Sequence, residues 1–317
     1  MLSWQTGRMI VVVAPGQGSQ TPGFLEPWLA EERFRDQLIQ LSDTAQIDLV
    51  AHGTTSDADT IRDTAVAQPL IVAAGLLTLS ALFDSAAGGG RDKVAGVAGH
   101  SVGEITAAAA SGILSETDAM AFVRERSRAM ASAAALTPTG MSAVLGGDEE
   151  ALLERLEALG LSPANFNGGG QIVVAGAPDA LAALQAEPLA GTRVIPLQVA
   201  GAFHTRYMEP AVATLRDFAA TLTPSDPTLP IWTNRDGAPV TSGAAFVDLL
   251  VGQVSSPVRW DTTMASLADA GVTGLIELAP AGALAGLARR GLKGVPTVAV
   301  KTPDDLAAAY TMMNGTV

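Results

Sequence analysis

The 317-residue chain is long enough to bury a large core, and 48% hydrophobic against 16% charged residues marks it as folded. Lys and Arg number 19 against 32 Asp and Glu, a net charge of −13 that repels phosphate backbones and argues against nucleic acid as the main partner. The absence of cysteine excludes disulfides, thiolate nucleophiles and thiolate zinc sites, and no run of about 18 apolar residues free of polar or proline breaks offers a membrane span.

Residues 1–8 show no pattern and read as a loosely held leader. Met9 to Ala14 is an unbroken apolar run, as expected of a strand buried on both faces. It is too short for a signal-peptide core, so a soluble cytoplasmic protein is expected. The glycine-rich loop Pro15 to Gly23 follows, then apolar residues at helical spacing over Glu31 to Leu41 and Pro69 to Phe83. The apolar run Val94 to Ala98 predicts a second strand. Gly99-His100-Ser101-Val102-Gly103 then predicts a sharp turn, and Glu104 to Ala110 a helix. A longer helix over Thr117 to Ala135 carries Arg124, Arg126 and Arg128. Strands alternating with helices predict an α/β fold with a mostly parallel sheet covered on both faces.

The middle of the chain changes character. Strands are predicted over Met141 to Leu145, Ala164 to Asn167, Gln171 to Ala175 and Arg193 to Val199, with helices over Asp148 to Leu159 and Pro178 to Gln185. The order β-α-β-β-α-β is that of a ferredoxin-like unit. Residues 138–202 are therefore expected to form a small subdomain inserted into a large one, built from residues 1–137 and 203–317. The large one resumes with helix Met208 to Leu222, strand Ile231 to Asn234, helix Thr262 to Ala270, strand Gly274 to Leu278 and helix Leu284 to Arg290.

A serine at a strand-to-helix corner between glycines suits an activated nucleophile. The tight turn leaves no room for flanking Cβ atoms, and the first helical N–H groups face whatever the serine attacks. The plainer reading is a solvent-facing serine in a glycine-rich turn. A serine nucleophile needs a base, and the histidines are His52, His100 and His204. His100 adjoins Ser101 and on such a turn points away from it, while His52 suits a helix end. His204, in Gly201-Ala202-Phe203-His204-Thr205, is the base by elimination. No histidine follows it, so an ordinary α/β-hydrolase, whose histidine lies near the C-terminus, is disfavoured. The loop Pro15-Gly16-Gln17-Gly18-Ser19-Gln20 fails the dinucleotide fingerprint, because Thr21 stands where a third glycine is needed. Such a loop can instead bring a backbone N–H toward Ser101. No H-E-x-x-H and no P-loop lysine occurs, so no metal or nucleotide cofactor is expected.

Together these residues resemble the malonyl-CoA:acyl-carrier-protein transacylases, a family that includes the acyltransferase domains of fatty-acid and polyketide synthases. The resemblance runs from Met9 to about Pro303. It rests on the loop from Pro15 to Gln20, Gln68-Pro69, the block from Gly99 to Glu104, Arg126 with Met130, and the block from Gly201 to Thr205. Asn165-Phe166-Asn167, Gln171, Gly176 and Pro257-Val258-Arg259-Trp260 add to it. The resemblance implies an α/β-hydrolase-like large subdomain with an inserted ferredoxin-like small subdomain. It makes Ser101 the acylated nucleophile and His204 its base, oriented by the backbone carbonyl of Gln253 in place of an aspartate. Backbone N–H groups of Gln17 and Val102 would form the oxyanion hole, and Arg126 would grip the free malonyl carboxylate. Gln68 would line the pocket, and Phe203 would leave little room for an α-methyl group.

No cofactor is implied, since CoA and phosphopantetheine act as carriers of the substrate. The partners implied are malonyl-CoA and an acidic acyl carrier protein arriving in trans, docking on Arg289, Arg290 and Lys293 or on Arg91 and Lys93. Two departures stand out. Ser255-Ser256 precede Pro257 where the family usually has Asn, and Ser127 stands where a glycine is common. The rival readings are a serine thioesterase or esterase, a methylmalonyl-selective acyltransferase, and a carrier-binding scaffold without catalysis.

Overall fold

The computed structural model describes residues 7–199 and 201–315, so most of the expected leader lies outside the described residues. β1 (Ile10–Ala14) is buried at every position. Ile10, Val12 and Ala14 face one apolar cluster while Val11 and Val13 face another, which is why the run does not alternate. α1 (Glu32–Ala45) and α2 (Leu49–Thr54) follow, the second capped by Asp48 accepting the Ala51 N–H. α3 (Thr64–Leu82) begins ahead of the predicted start at Pro69, because Asp63 caps it and Pro69 sits inside the helix. Among the described residues it is the one helix long and apolar enough to cross a membrane, and it is packed in the core. β2 (Gly96–Gly99) leads through the Ser101 corner into α4 (Gly103–Ser111), and α5 (Glu116–Leu136) starts at the Ser115 cap.

The next stretch holds β3 (Gly140–Gly146), α6 (Glu149–Leu159), β4 (Ser162–Gly168), β5 (Gln171–Gly176), α7 (Pro178–Ala186) and β6 (Thr192–Leu197). Then come α8 (Glu209–Ala219), β7 (Ile231–Trp232), β8 (Pro239–Val240), α9 (Gly243–Gln253), β9 (Val258–Arg259) and α10 (Trp260–Asp269). The chain closes with β10 (Gly274–Glu277), α11 (Ala283–Gly291), β11 (Thr297–Ala299) and α12 (Leu306–Asn314).

Among the described residues the strands form two sheets. The first has the order β11-β10-β1-β2-β7-β8 and is parallel except for β8. The second has the order β6-β3-β5-β4-β9 and is antiparallel except where β4 meets β9. Val144, Leu152, Leu156, Phe166, Val174 and Leu184 give it a core of its own. β9 is a finding the sequence reading did not contain. Val258 and Arg259 follow α9 yet pair with Asn165 and Phe166, so the second sheet takes its edge strand from outside residues 138–202. The carboxyl ends of β1 and β2 lie side by side, with Ala14 opposite Gly99, and ligands of parallel sheets bind beyond such ends.

Candidate active site

The corner after β2 is built on two glycines. A Cβ on Gly99 would lie 2.1 Å from the Gly103 carbonyl carbon, and one on Gly103 would lie 2.2 Å from Ala14 O. Glycine at both positions lets α4 pack against the end of β1. Between them Ser101 holds a φ of 53°, a left-handed conformation that costs an L-residue about 1–3 kcal/mol unless its surroundings enforce it. Asn234, just past β7, enforces it. Its Oδ1 accepts the Ser101 N–H at 2.7 Å, and its Nδ2 donates to Gly99 O at 2.7 Å.

Ser101 Oγ lies 2.7 Å from His204 Nε2. His204 has a φ of 62°, and its N–H donates to Val254 O at 3.0 Å. Its Nδ1 is 2.9 Å from Gln253 O, an acceptor only, so Nδ1 carries the hydrogen and Nε2 is left to accept from the serine. Burial, reinforced by the Arg126 charge, pushes His204 down to about 3 and keeps the imidazole neutral. The Ser255-Ser256 departure leaves this arrangement intact. Gln253 O also accepts the Ser256 N–H at 3.2 Å, and Ser255 N–H donates to Gly252 O at 3.3 Å.

Arg126 reaches the same point from α5 and is 1% exposed. Its Nη1 donates to Gln68 Oε1 at 2.6 Å, and its Nη2 to Gln253 Oε1 at 2.7 Å and Ser101 Oγ at 3.3 Å. Its Nε–H is buried without a partner among the described residues. Burial lowers its pKa to about 10, so it stays a cation at neutral pH. Ser127, the other departure, donates its hydroxyl to Arg124 O within the helix at 3.0 Å.

Ser101, His204, Arg126, Gln68, Gln17, Val102 and Phe203 all line one cleft of about 370 Å³. Its opposite wall comes from the second sheet, through Met141, Asn165, Asn167, Gln171 and Val173, and from α11 through Leu287 and Arg290. Among the described residues the backbone N–H groups of Gln17 and Val102 donate to no other protein group. Gln253 stands behind this cleft, and its side chain lines a second cavity of about 650 Å³.

The remaining histidines and arginines bond other groups, although His100 also lines the cleft. His100 turns away from Ser101, its Nε2 lying 2.8 Å from Asn167 Oδ1, and His52, on α2, bonds Ser56 just beyond that helix at 3.0 Å. Arg124 and Arg128 bond Thr44 O and Gln46 Oε1. Among the described residues no group of three or more His, Asp or Glu side chains is placed to hold a metal ion.

Two residues of the site go unassigned in the sequence reading. Asn234 appears there only as the end of a strand, and Glu104 only as the start of a helix and the end of the Gly99 block, with no role of its own. Glu104 is 1% exposed, and its Oε1 accepts the Asn234 N–H at 2.7 Å while Oε2 accepts from Gln253 Nε2. Burial pushes its carboxyl up to about 8, against the pull of those donors and of Arg126. The available signal was position: Asn234 follows a parallel strand, and Glu104 sits in the first turn of the helix that starts just past Ser101.

Residues 11–306 match the family described as acyl transferase domain. The chain is 52% identical over 298 residues to the malonyl CoA-acyl carrier protein transacylase of Mycobacterium tuberculosis, covering 94% of this chain and 98% of the relative. The crystal structure of MCAT from Mycobacterium tuberculosis superposes with a TM-score of 0.91 at 51% identity, over 96% of this chain and 100% of that one. A malonyl-transacylase solved in complex with its type II PKS acyl-carrier protein superposes with a TM-score of 0.89 at 27% identity, over 97% of this chain and 100% of that one. Matched along nearly its whole length in sequence and in fold, the chain belongs to the acyl transferase family, among the malonyl CoA-acyl carrier protein transacylases.

Proposed function

We propose that the protein moves the malonyl group of malonyl-CoA to the phosphopantetheine thiol of an acyl carrier protein through a malonyl ester on Ser101. The observation that carries this reading is the 2.7 Å approach of Ser101 Oγ to a neutral His204 beside a buried guanidinium. His204 Nε2 takes the serine proton as Oγ attacks the thioester carbonyl, and returns it to the departing CoA thiolate. In the second half His204 deprotonates the carrier thiol, which attacks the ester, and the imidazolium returns that proton to Ser101 Oγ as it departs. The oxyanion of each step is received by the backbone N–H groups of Gln17 and Val102, residues that line the cleft. Arg126, which lines the cleft, receives the malonyl carboxylate on its guanidinium, which Gln68 holds through Nη1. Phe203, 6% exposed, narrows the cleft against an α-methyl branch.

The protein's own groups supply every proton transfer, so no cofactor enters this scheme. We read the first sheet and its helices as an α/β-hydrolase-like large subdomain over residues 1–137 and 203–317. The antiparallel order β6-β3-β5-β4 over residues 138–202 supports a ferredoxin-like small subdomain. We place the enzyme in the cytoplasm, meeting its carrier protein in trans. Arg289 and Lys293 are exposed beside Arg290 on the cleft rim and suit an acidic partner. Arg91 and Lys93 are taken up with Ala110 O, Thr228, Gly88 O and Asn314.

Intact-protein mass spectrometry after exposure to malonyl-CoA tests the reading. A malonyl adduct on Ser101 that discharges onto carrier protein is the expected result. Rapid release of free malonate would make the protein a thioesterase, and no adduct at all would make it a scaffold.

A further inference from the structure

Gln253 serves the site twice. Its backbone carbonyl meets His204 Nδ1, while its side-chain amide faces three other groups. Arg126 Nη2 can only donate, and the Ser101 carbonyl can only accept. The amide oxygen is therefore turned to the guanidinium at 2.7 Å, and the amide nitrogen to Ser101 O at 3.1 Å. The same nitrogen donates to Glu104 Oε2, and the other Glu104 oxygen is taken by the Asn234 N–H. Glu104 lines the second cavity and lies outside the cleft that holds Ser101.

We propose that Glu104 is a positioning residue which, by fixing the orientation of the Gln253 amide, aims Arg126 at the substrate carboxylate and so selects acyl groups that carry one. This rests on the malonyl-transfer reading above. Without an acceptor at Glu104 the amide nitrogen keeps a single partner and is free to turn. A turned amide sets its NH₂ group against the guanidinium, donor facing donor, and Arg126 swings off its aim. The loss falls on a malonyl group, which needs that guanidinium, and spares the specific recognition of an acetyl group, which does not.

Glu104→Gln tests this, since the side chain keeps its size while one acceptor becomes a donor. We expect the ratio of malonyl to acetyl kcat/KM to fall about tenfold, chiefly through a higher KM for malonyl-CoA. In an Arg126→Ala background the same change should lower the ratio no further, because both substitutions act through one guanidinium. An unchanged ratio, equal losses with both substrates, or full additivity with Arg126→Ala would overturn the proposal. Should Glu104→Gln fail to fold, Gln253→Met removes the amide and keeps the carbonyl under His204. It should reproduce the fall in ratio, and an unchanged ratio there counts equally against the proposal. A wild-type enzyme that takes no malonyl group on Ser101 would instead overturn the transferase reading itself.

Discussion

The guanidinium of Arg126 is buried among two amide oxygens and a hydroxyl, none of them a charged partner. A buried cation of that kind costs several kcal/mol, and an incoming carboxylate offsets the cost where an acetyl methyl cannot. Arg126→Ala is therefore expected to cut the malonyl-to-acetyl ratio by ~10²-fold, about 3 kcal/mol, in single-turnover loading of Ser101. The neighbouring imidazole bears on pH. A histidine lowered from 6.5 to about 3 is already in its base form on both sides of neutrality. Acylation by malonyl-CoA should stay level as pH falls through 6.5 and decline only toward about 3. A half-point at 6.5 in stopped-flow acylation rates would mean that the ring is solvated.

At the scale of the element, the junction of β2 with α4 carries the chemistry, because it turns Ser101 out while the helix runs against β1. Gly103→Ala puts a methyl into Ala14 O, a backbone atom that cannot rotate away. It is expected to cost ~1–3 kcal/mol in urea unfolding and to slow acylation by more than that stability loss explains, as the corner is displaced. An unaffected acylation rate would show that the corner tolerates the shift.

This junction was readable in the sequence because its determinants sit within a few residues, between an apolar run and a helical one. Arg126 and His204 were readable as chemical types in short blocks. The role of the Gln253 carbonyl came only from the family resemblance, since any residue has a carbonyl. Asn234 and Glu104 escaped because the bond between them joins positions 130 apart, and no local spacing encodes it. The start of α3 was misplaced because proline favours a first helical turn, whereas the Asp63 cap fixes the true start. β9 escaped because two residues are too few to show a period.

Across the whole molecule, a surface with net charge −13 would repel the acidic carrier that the resemblance implies, and the exposed cations beside the cleft are where attraction can outweigh repulsion. Reversing both Arg289 and Lys293 to Glu is expected to slow discharge of the malonyl group to carrier protein about tenfold at low salt and to leave loading from malonyl-CoA unaltered. Equal slowing of both half-reactions, followed by mass spectrometry of the loaded enzyme, would place docking elsewhere.

The short pairing of Val258–Arg259 with Asn165–Phe166 carries a mechanical consequence. Arg259 N–H also donates to the backbone Asn234 O at 2.7 Å, so the rung that stitches the two walls together is tied to the residue whose side chain clamps Ser101. Prising the walls apart would slacken the nucleophile at the same stroke. A pantetheine arm admitted by side chains stepping aside, with the jaws shut, would leave the serine aligned through both half-reactions.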